Sequence, residues 1–434
     1  MVGGRTTLQL AQLRTVALLF CGYAACYYCR ADLSVATPLL VEELGRHGLT
    51  HGEALIRIGA LSSLGVLAYA LGKFFLTGLG DYWGGRRNFL IGVGGACLFT
   101  AAFATGGTVP IFTIAWLGNQ STQSMGWAGL IKVSSKWFNY SSYGSIIGIL
   151  SVSYLVGDAL ARQQMGILIG HGYGWRAVFL FAAIVAAVML LANLLWLRES
   201  RVEAGHPEAT ANPLNLFAAT ESPPASIGAL LLPLLRSRAF VLVCLLSFTC
   251  TIIRQSFNNW TPVYLRDHLG YSTSQAASLS ALFPGVGAVS VLLAGWMSDR
   301  LGLNGRSLLM FLGLTASAVA LLLLVSLRAG TSTLLPLAAI ALVAFCLLGP
   351  YSYLGGAFAL DFGGKQASAA SSGIIDGVGY LGGVLAGDVV ARIAVAFGWN
   401  GVFVTLAAVS AAAALFAGTL HLLNTRAASE ALHA

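Results

Sequence analysis

The sequence predicts an all-α membrane protein of twelve transmembrane helices arranged as two pseudo-symmetric six-helix bundles. Three observations carry that prediction. Of 434 residues, 57% are hydrophobic and only 9% charged, against a usual charged share of about 25%, so a soluble chain of this size would lack the polar surface to cover itself. The 52 glycines are scattered through the apolar runs, where small residues let helices pack closely. The third observation is the rhythm of the chain. A bilayer core of about 30 Å takes about 20 helical residues, and apolar runs of that length recur along the sequence.

The first run, at 15–39, contains LFCGYAACYYCRADL and carries Arg30. With no clear small-x-small cleavage site, it reads as a retained helix and not as a signal peptide. The next five lie at 55–79, 88–108, 110–132, 144–169 and 176–197. A polar, proline-containing stretch at 198–237 (RESRVEAGHPEATANP, then ESPPAS) interrupts the series. Six more runs follow at 238–264, 275–298, 307–328, 331–357, 366–392 and 400–421. The expected organisation is an N-terminal bundle at 1–197, a linker at 198–237 and a C-terminal bundle at 238–434.

Lys and Arg at the run ends set the expected orientation. Fourteen fall on the side of both termini and the linker, and six (Arg46, Arg57, Arg176, Arg266, Arg328, Arg392) on the other. Both termini are therefore expected in the cytoplasm. The net charge of +8 punctuates hydrophobic segments and forms no basic patch, which argues against a nucleic-acid partner. The seven cysteines show no disulfide or zinc spacing. The Cys26–Cys29 CxxC, with aromatics between its cysteines in an apolar helix, reads as packing.

The halves echo one another. Segment two runs into GLGDYWGGRRN (78–88) and segment eight into AGWMSDRLGLNGRS (294–307). Each is a small-residue helix end, an aspartate (Asp81, Asp299), a glycine-containing turn and arginine. An ordinary positive-inside loop would also contain these residue types, but recurrence at matching places reads as a duplicated gating element. Repeats of this kind underlie alternating-access carriers.

Four basic residues fall inside predicted spans: Arg30, Lys73, Arg162 and Arg254. Charge within a membrane segment is costly and marks a functional site by default. Arg30 and Arg254 sit in segments one and seven, which open the two halves. Two guanidiniums facing one ligand would bind a phosphate or similar oxyanion bidentately, with Lys73 as a supplement. The competing reading is internal neutralisation by Asp32, Asp158 or Asp376. Asp32, two residues from Arg30, should not share its helix face. Asp158 and Arg162, four apart, can satisfy each other. Asp376 can neutralise Arg254 or Lys73, or respond to protons.

Tyr27 lies three residues before Arg30 and shares its side. Tyr154, Tyr351, Gln255, Asn258, Asn259 and Trp260 offer hydroxyls, amides and ring faces to the organic part of a ligand. Trp260, beside Pro262, also suits an interfacial anchor. His171 and His268 fall in short external loops and are not expected to carry protons. No nucleophile–base set or metal cluster is evident, so neither an enzyme nor a cofactor is expected.

These residues carry a resemblance. GYAACYYCR (22–30), AYALGKF (68–74), QSMGWAGLIKVSSKWF (123–138), RQSFNNWTPVYL (254–265), GWMSDR (295–300) and DFGGKQASAASSGIIDGVGYLGG (361–383) together resemble the organophosphate:phosphate antiporter branch of the major facilitator superfamily. That branch includes glycerol-3-phosphate, hexose-phosphate and eukaryotic sugar-phosphate exchangers. The resemblance implies the major facilitator fold and assigns phosphate binding to Arg30 and Arg254, with Lys73 close by. It implies exchange of a phosphorylated metabolite for inorganic phosphate by a monomer in the cell's inner membrane. The chain departs from the branch at Ala31, where bacterial members often have a second basic residue. It departs again at Tyr154 and Leu155, which replace an HN pair, and at Asn259, which replaces an acid. Two alternatives stand beside exchange. One is proton-coupled uptake of an organic anion such as a phosphonate or carboxylate. The other is a transporter-like sensor of a phosphorylated metabolite.

Overall fold

The computed structural model describes residues 2–76, 84–209, 234–326, 334–358 and 373–433; side chains at 2–6, 109, 135, 140–145, 147, 298–304, 356–357 and 427–433 fall outside the description. Every regular element among the described residues is helical. The first half contains α1 (Val2–Arg46), α2 (His51–Phe75), α3 (Gly85–Thr105), α4 (Val109–Trp137), α5 (Tyr140–Gly170) and α6 (Trp175–Trp196). The second contains α7 (Arg238–Asp267), α8 (Thr273–Ser280), α9 (Leu282–Ser326), α10 (Leu334–Tyr351), a π turn (Leu354–Phe358), α11 (373–385) and α12 (Asp388–His433). Nine stretches of the described residues are long and apolar enough to cross a membrane. The last of them, Gly373–Arg426, spans 54 residues and takes in 373–392 and 400–421 of the two final segments expected from the sequence, residues 366–372 lying outside the description. It bends at Gly398, whose φ of 68° is a conformation open to glycine and strained for other residues.

Helix ends follow local chemistry. Ser237 accepts the Phe240 N–H at 3.3 Å and caps α7. Ser272 and Gln275 exchange side-chain and backbone bonds as a capping box at the start of α8, satisfying donors that the first helical turn leaves over.

Contacts divide the chain into two compact units. Unit 1 comprises residues 1–40, 64–215 and 272–281; unit 2 comprises 41–63, 216–271 and 282–434. In unit 1, Leu19, Tyr23, Phe89, Val93, Leu130 and Trp137 form a buried core. A second aromatic group has Phe103 and Phe179 stacked at 4.4 Å beside Trp175. A Cβ on Gly92 would come within 2.9 Å of the Gly126 Cα, so α3 and α4 meet backbone to backbone. In unit 2, Phe257 stacks on Phe283 at 4.9 Å. The first turns of α2 seat on the junction of α11 and α12: Ser63 Oγ accepts the Asp388 N–H at 2.8 Å and donates to the Val384 carbonyl.

Candidate substrate site

Unit 1 gathers two cations around one ring. α1 turns the half-buried Arg30 toward α2, where its guanidinium carbon lies 4.1 Å from the centroid of Tyr69. The Lys73 ammonium, four residues further along α2, lies 5.5 Å from the same ring. Arg30 also donates to the Tyr27 hydroxyl at 3.3 Å and to Gln120 Oε1 of α4 at 3.5 Å. Tyr27 extends the site: its ring is 5.5 Å from that of Tyr154 on α5 and 5.6 Å from that of Tyr23, which in turn meets Trp127 at 5.4 Å. A cation over an aromatic face gains about 0.5–2 kcal/mol, more as water is excluded. Tyr69 is thus a neutral seat for two like charges.

In unit 2, the buried Arg254 lies over the ring of Tyr351 at 4.9 Å. The Tyr351 hydroxyl accepts from Thr251 at 3.3 Å. Tyr351 stands in the electrostatic field of Arg254, Tyr380 and Asp376, and Asp376 lies close against Gly355 of the π turn. Arg254, Tyr351 and Asp376 therefore share one neighbourhood. Gln255 donates to Asn259 at 3.1 Å, Asn259 donates to Ser62 of α2 at 2.8 Å, and Asn258 is half-buried. Trp260 is not an interfacial anchor. It is 4% exposed and its indole N–H donates to the Ala386 carbonyl at 2.8 Å, because the break between α11 and α12 leaves that carbonyl accessible.

The acids take separate paths. Asp158 accepts from Arg162 Nε at 3.0 Å, one helical turn away on α5, and the same guanidinium donates to Ser280 at 3.1 Å. Asp32 does not meet Arg30. It is fully buried and accepts its neighbour Leu33's N–H at 2.7 Å. Asp81 and the side chain of Asp299 lie outside the described residues, as does Lys365. What is described beside Asp81 is an anchor that the sequence reading did not single out. Glu199, just beyond α6, accepts the backbone N–H groups of Gly85 and Arg86 at 3.0 and 2.6 Å and the Lys136 ammonium at 2.6 Å. Arg86 in turn donates to the carbonyls of Leu197 and Leu194. Burial pushes the Glu199 carboxyl up, but these donors outweigh it and hold the group below its ordinary value. Nothing local in the sequence marks this capping residue, since it stands 114 positions from the helix it caps.

Sequence reasoning also missed Tyr69 and Gln120. Both are neutral in apolar helices, so neither raises the charge penalty that exposed Arg30. The only signal for Tyr69 was its place one turn before Lys73.

A helical bundle with basic side chains seated on tyrosines inside its apolar spans, and with Asp158 paired to Arg162, has the character of a transport-type membrane protein. The major facilitator superfamily model matches residues 19–387, and the chain belongs to that superfamily. It is 27% identical to a probable hexose phosphate transport protein of Chlamydia muridarum, over 93% of this chain and 90% of the relative. It is 25% identical to a glycerol-3-phosphate transporter of Bacillus subtilis, over 89% and 87%. It is 27% identical to the membrane sensor protein UhpC of Escherichia coli, over 95% and 92%. These relatives bear out the resemblance to the organophosphate:phosphate antiporter branch. Among solved structures, a bacterial homolog of the human lysosomal transporter Spinster superposes with a TM-score of 0.71 at 16% identity, covering 96% of this chain and 97% of that one. A peptide transporter of the POT family in complex with sulfate gives 0.70 at 14%, covering 95% and 94%. Both support the fold.

Proposed function

We propose that the chain is a secondary transporter that exchanges a phosphorylated organic metabolite for inorganic phosphate by alternating access. The observation that carries this reading is the pair of cations, Arg30 and Lys73, seated on the single ring of Tyr69. Two like charges held at one ring repel in a medium of low dielectric constant, and an anion between them offsets that cost. A phosphoryl group suits the guanidinium fork, which presents parallel N–H donors to paired oxygens. Relatives named for hexose phosphate and glycerol-3-phosphate support the same ligand chemistry.

In this mechanism Arg30 and Arg254 each give a guanidinium to the phosphoryl group. The argument for their joint action is their corresponding place in the two sequence halves. Lys73 adds a less directional charge, and Tyr27, Tyr154, Asn258 and Tyr351 meet the organic part. Bound anion stabilises the closed, occluded form, and the empty carrier is disfavoured from closing by its own positive charge. The return step therefore needs a second anion, which makes the cycle an exchange. Asp81 and Asp299 act as the cytoplasmic gating pair, with Asp376 tuning Arg254. Both termini face the cytoplasm of a bacterial-type inner membrane, and the working unit is a monomer.

Labelled-phosphate counterflow in proteoliposomes tests the proposal. Phosphate–phosphate exchange, inhibited by hexose phosphates or glycerol-3-phosphate, is the expected result. Proton-driven uptake of a phosphonate or carboxylate with no phosphate exchange overturns it. The kinship with a membrane sensor favours one second reading, that of a receptor for the same ligands. It predicts saturable phosphate-ester binding to purified protein with no flux.

A further inference from the structure

Among the described residues, unit 1 holds two buried acids and treats them in opposite ways. Asp158, on α5, is answered by Arg162, whose guanidinium is itself shared with Ser34 and Ser280. Asp32, on α1, is 0% exposed, and only one of its oxygens is bonded. Oδ1 accepts the Leu33 N–H; Oδ2 is buried with no hydrogen-bond partner among the described residues.

The surroundings of Asp32 are neutral. One turn back on its own helix is Cys29, the titratable group in electrostatic contact with it, with Cys26 and Cys97 of α3 acting in turn on Cys29. The Cys29 thiol donates to the Ala182 carbonyl of α6, and the Cys29 carbonyl accepts Asn119 and Gln123 of α4. Asn119 also donates to Thr100 of α3. Among the described residues no Lys, Arg or His acts on the Asp32 carboxyl. Arg30, the nearest cation in sequence, directs its guanidinium to Tyr27, Gln120 and Tyr69.

An isolated carboxylate in such a place is strongly disfavoured by the loss of its hydration, and buried groups neutralise instead. The neutral acid leaves a single hydroxyl unsatisfied, a far smaller penalty than a bare charge. We propose that Asp32 is a proton-binding site. It is held as the neutral acid in the packed form of unit 1. The inference goes beyond phosphate exchange and does not require it.

Infrared spectroscopy of the purified full chain in liposomes reads the proton directly. The wild type minus Asp32→Asn difference at neutral pH should contain a protonated-carboxyl C=O band. Asp32→Glu should displace the band and not abolish it, which separates loss of the acid from misfolding. A difference spectrum showing only ionised carboxylate overturns the proposal.

Discussion

The Arg30 guanidinium lies 4.1 Å over the ring of Tyr69, a residue 2% exposed and itself fixed in α2. The ring holds the cation by its face, while the N–H groups of Arg30 donate to Tyr27 and Gln120. Tyr69→Leu should therefore weaken phosphate binding by roughly 3- to 30-fold, the equivalent of about 0.5–2 kcal/mol of cation–π attraction. Tyr69→Phe should stay within about threefold of wild type. Equal losses in both variants, measured as KM for counterflow, would assign the role to the hydroxyl.

Arg30→Lys and Arg254→Lys keep the charge but lose the planar fork. Each should lower exchange at least tenfold at normal membrane abundance, since a bidentate pair becomes a point contact. Near-normal exchange in both would show that charge alone suffices.

The pairing of Asp158 with Arg162 makes a stability prediction. Arg162→Met leaves a buried carboxylate without its partner and should cost about 3–5 kcal/mol. The double variant Asp158→Asn/Arg162→Met should recover much of that loss. Thermal unfolding in detergent across the four proteins gives the coupling, and additive losses would argue against a direct interaction.

Glu199 predicts a pH dependence with a definite sign. Its carboxyl is held below the ordinary value in the folded protein, so its contribution is full above the unfolded value and is lost as pH falls through the lower folded one. Wild type should exceed Glu199→Ala by about 1 kcal/mol near neutrality, as for the loss of a helix cap. The gap should close in acid. A constant gap down to the acid limit would show that packing, and not the charge, carries the effect.

Much of this was legible from the residues because helices make local spacing spatial. Tyr27 meets Arg30 three positions on, and Asp158 meets Arg162 at four. The two-residue offset of Asp32 correctly removed it from the Arg30 face. Long-range partners left no such mark. Glu199 caps a helix that begins far upstream, Trp260 finds a carbonyl freed by a helix break, and Gln120 reaches Arg30 from a separate helix. Each depends on how helices pack, and a hydropathy pattern specifies which face is apolar without saying which neighbour covers it.

The boundaries of the compact units carry a practical consequence. Residues 41–63 belong to unit 2 and residues 272–281 to unit 1, so a chain cut within 198–237 yields two fragments of which neither contains a whole unit. Each fragment keeps the strip that finishes the other. Expressed alone, each should be a poor folder and prone to degradation; co-expressed, they should rescue one another by reciprocal complementation. The polar linker would then be dispensable for assembly, because recognition between the fragments is written into the strips they exchange.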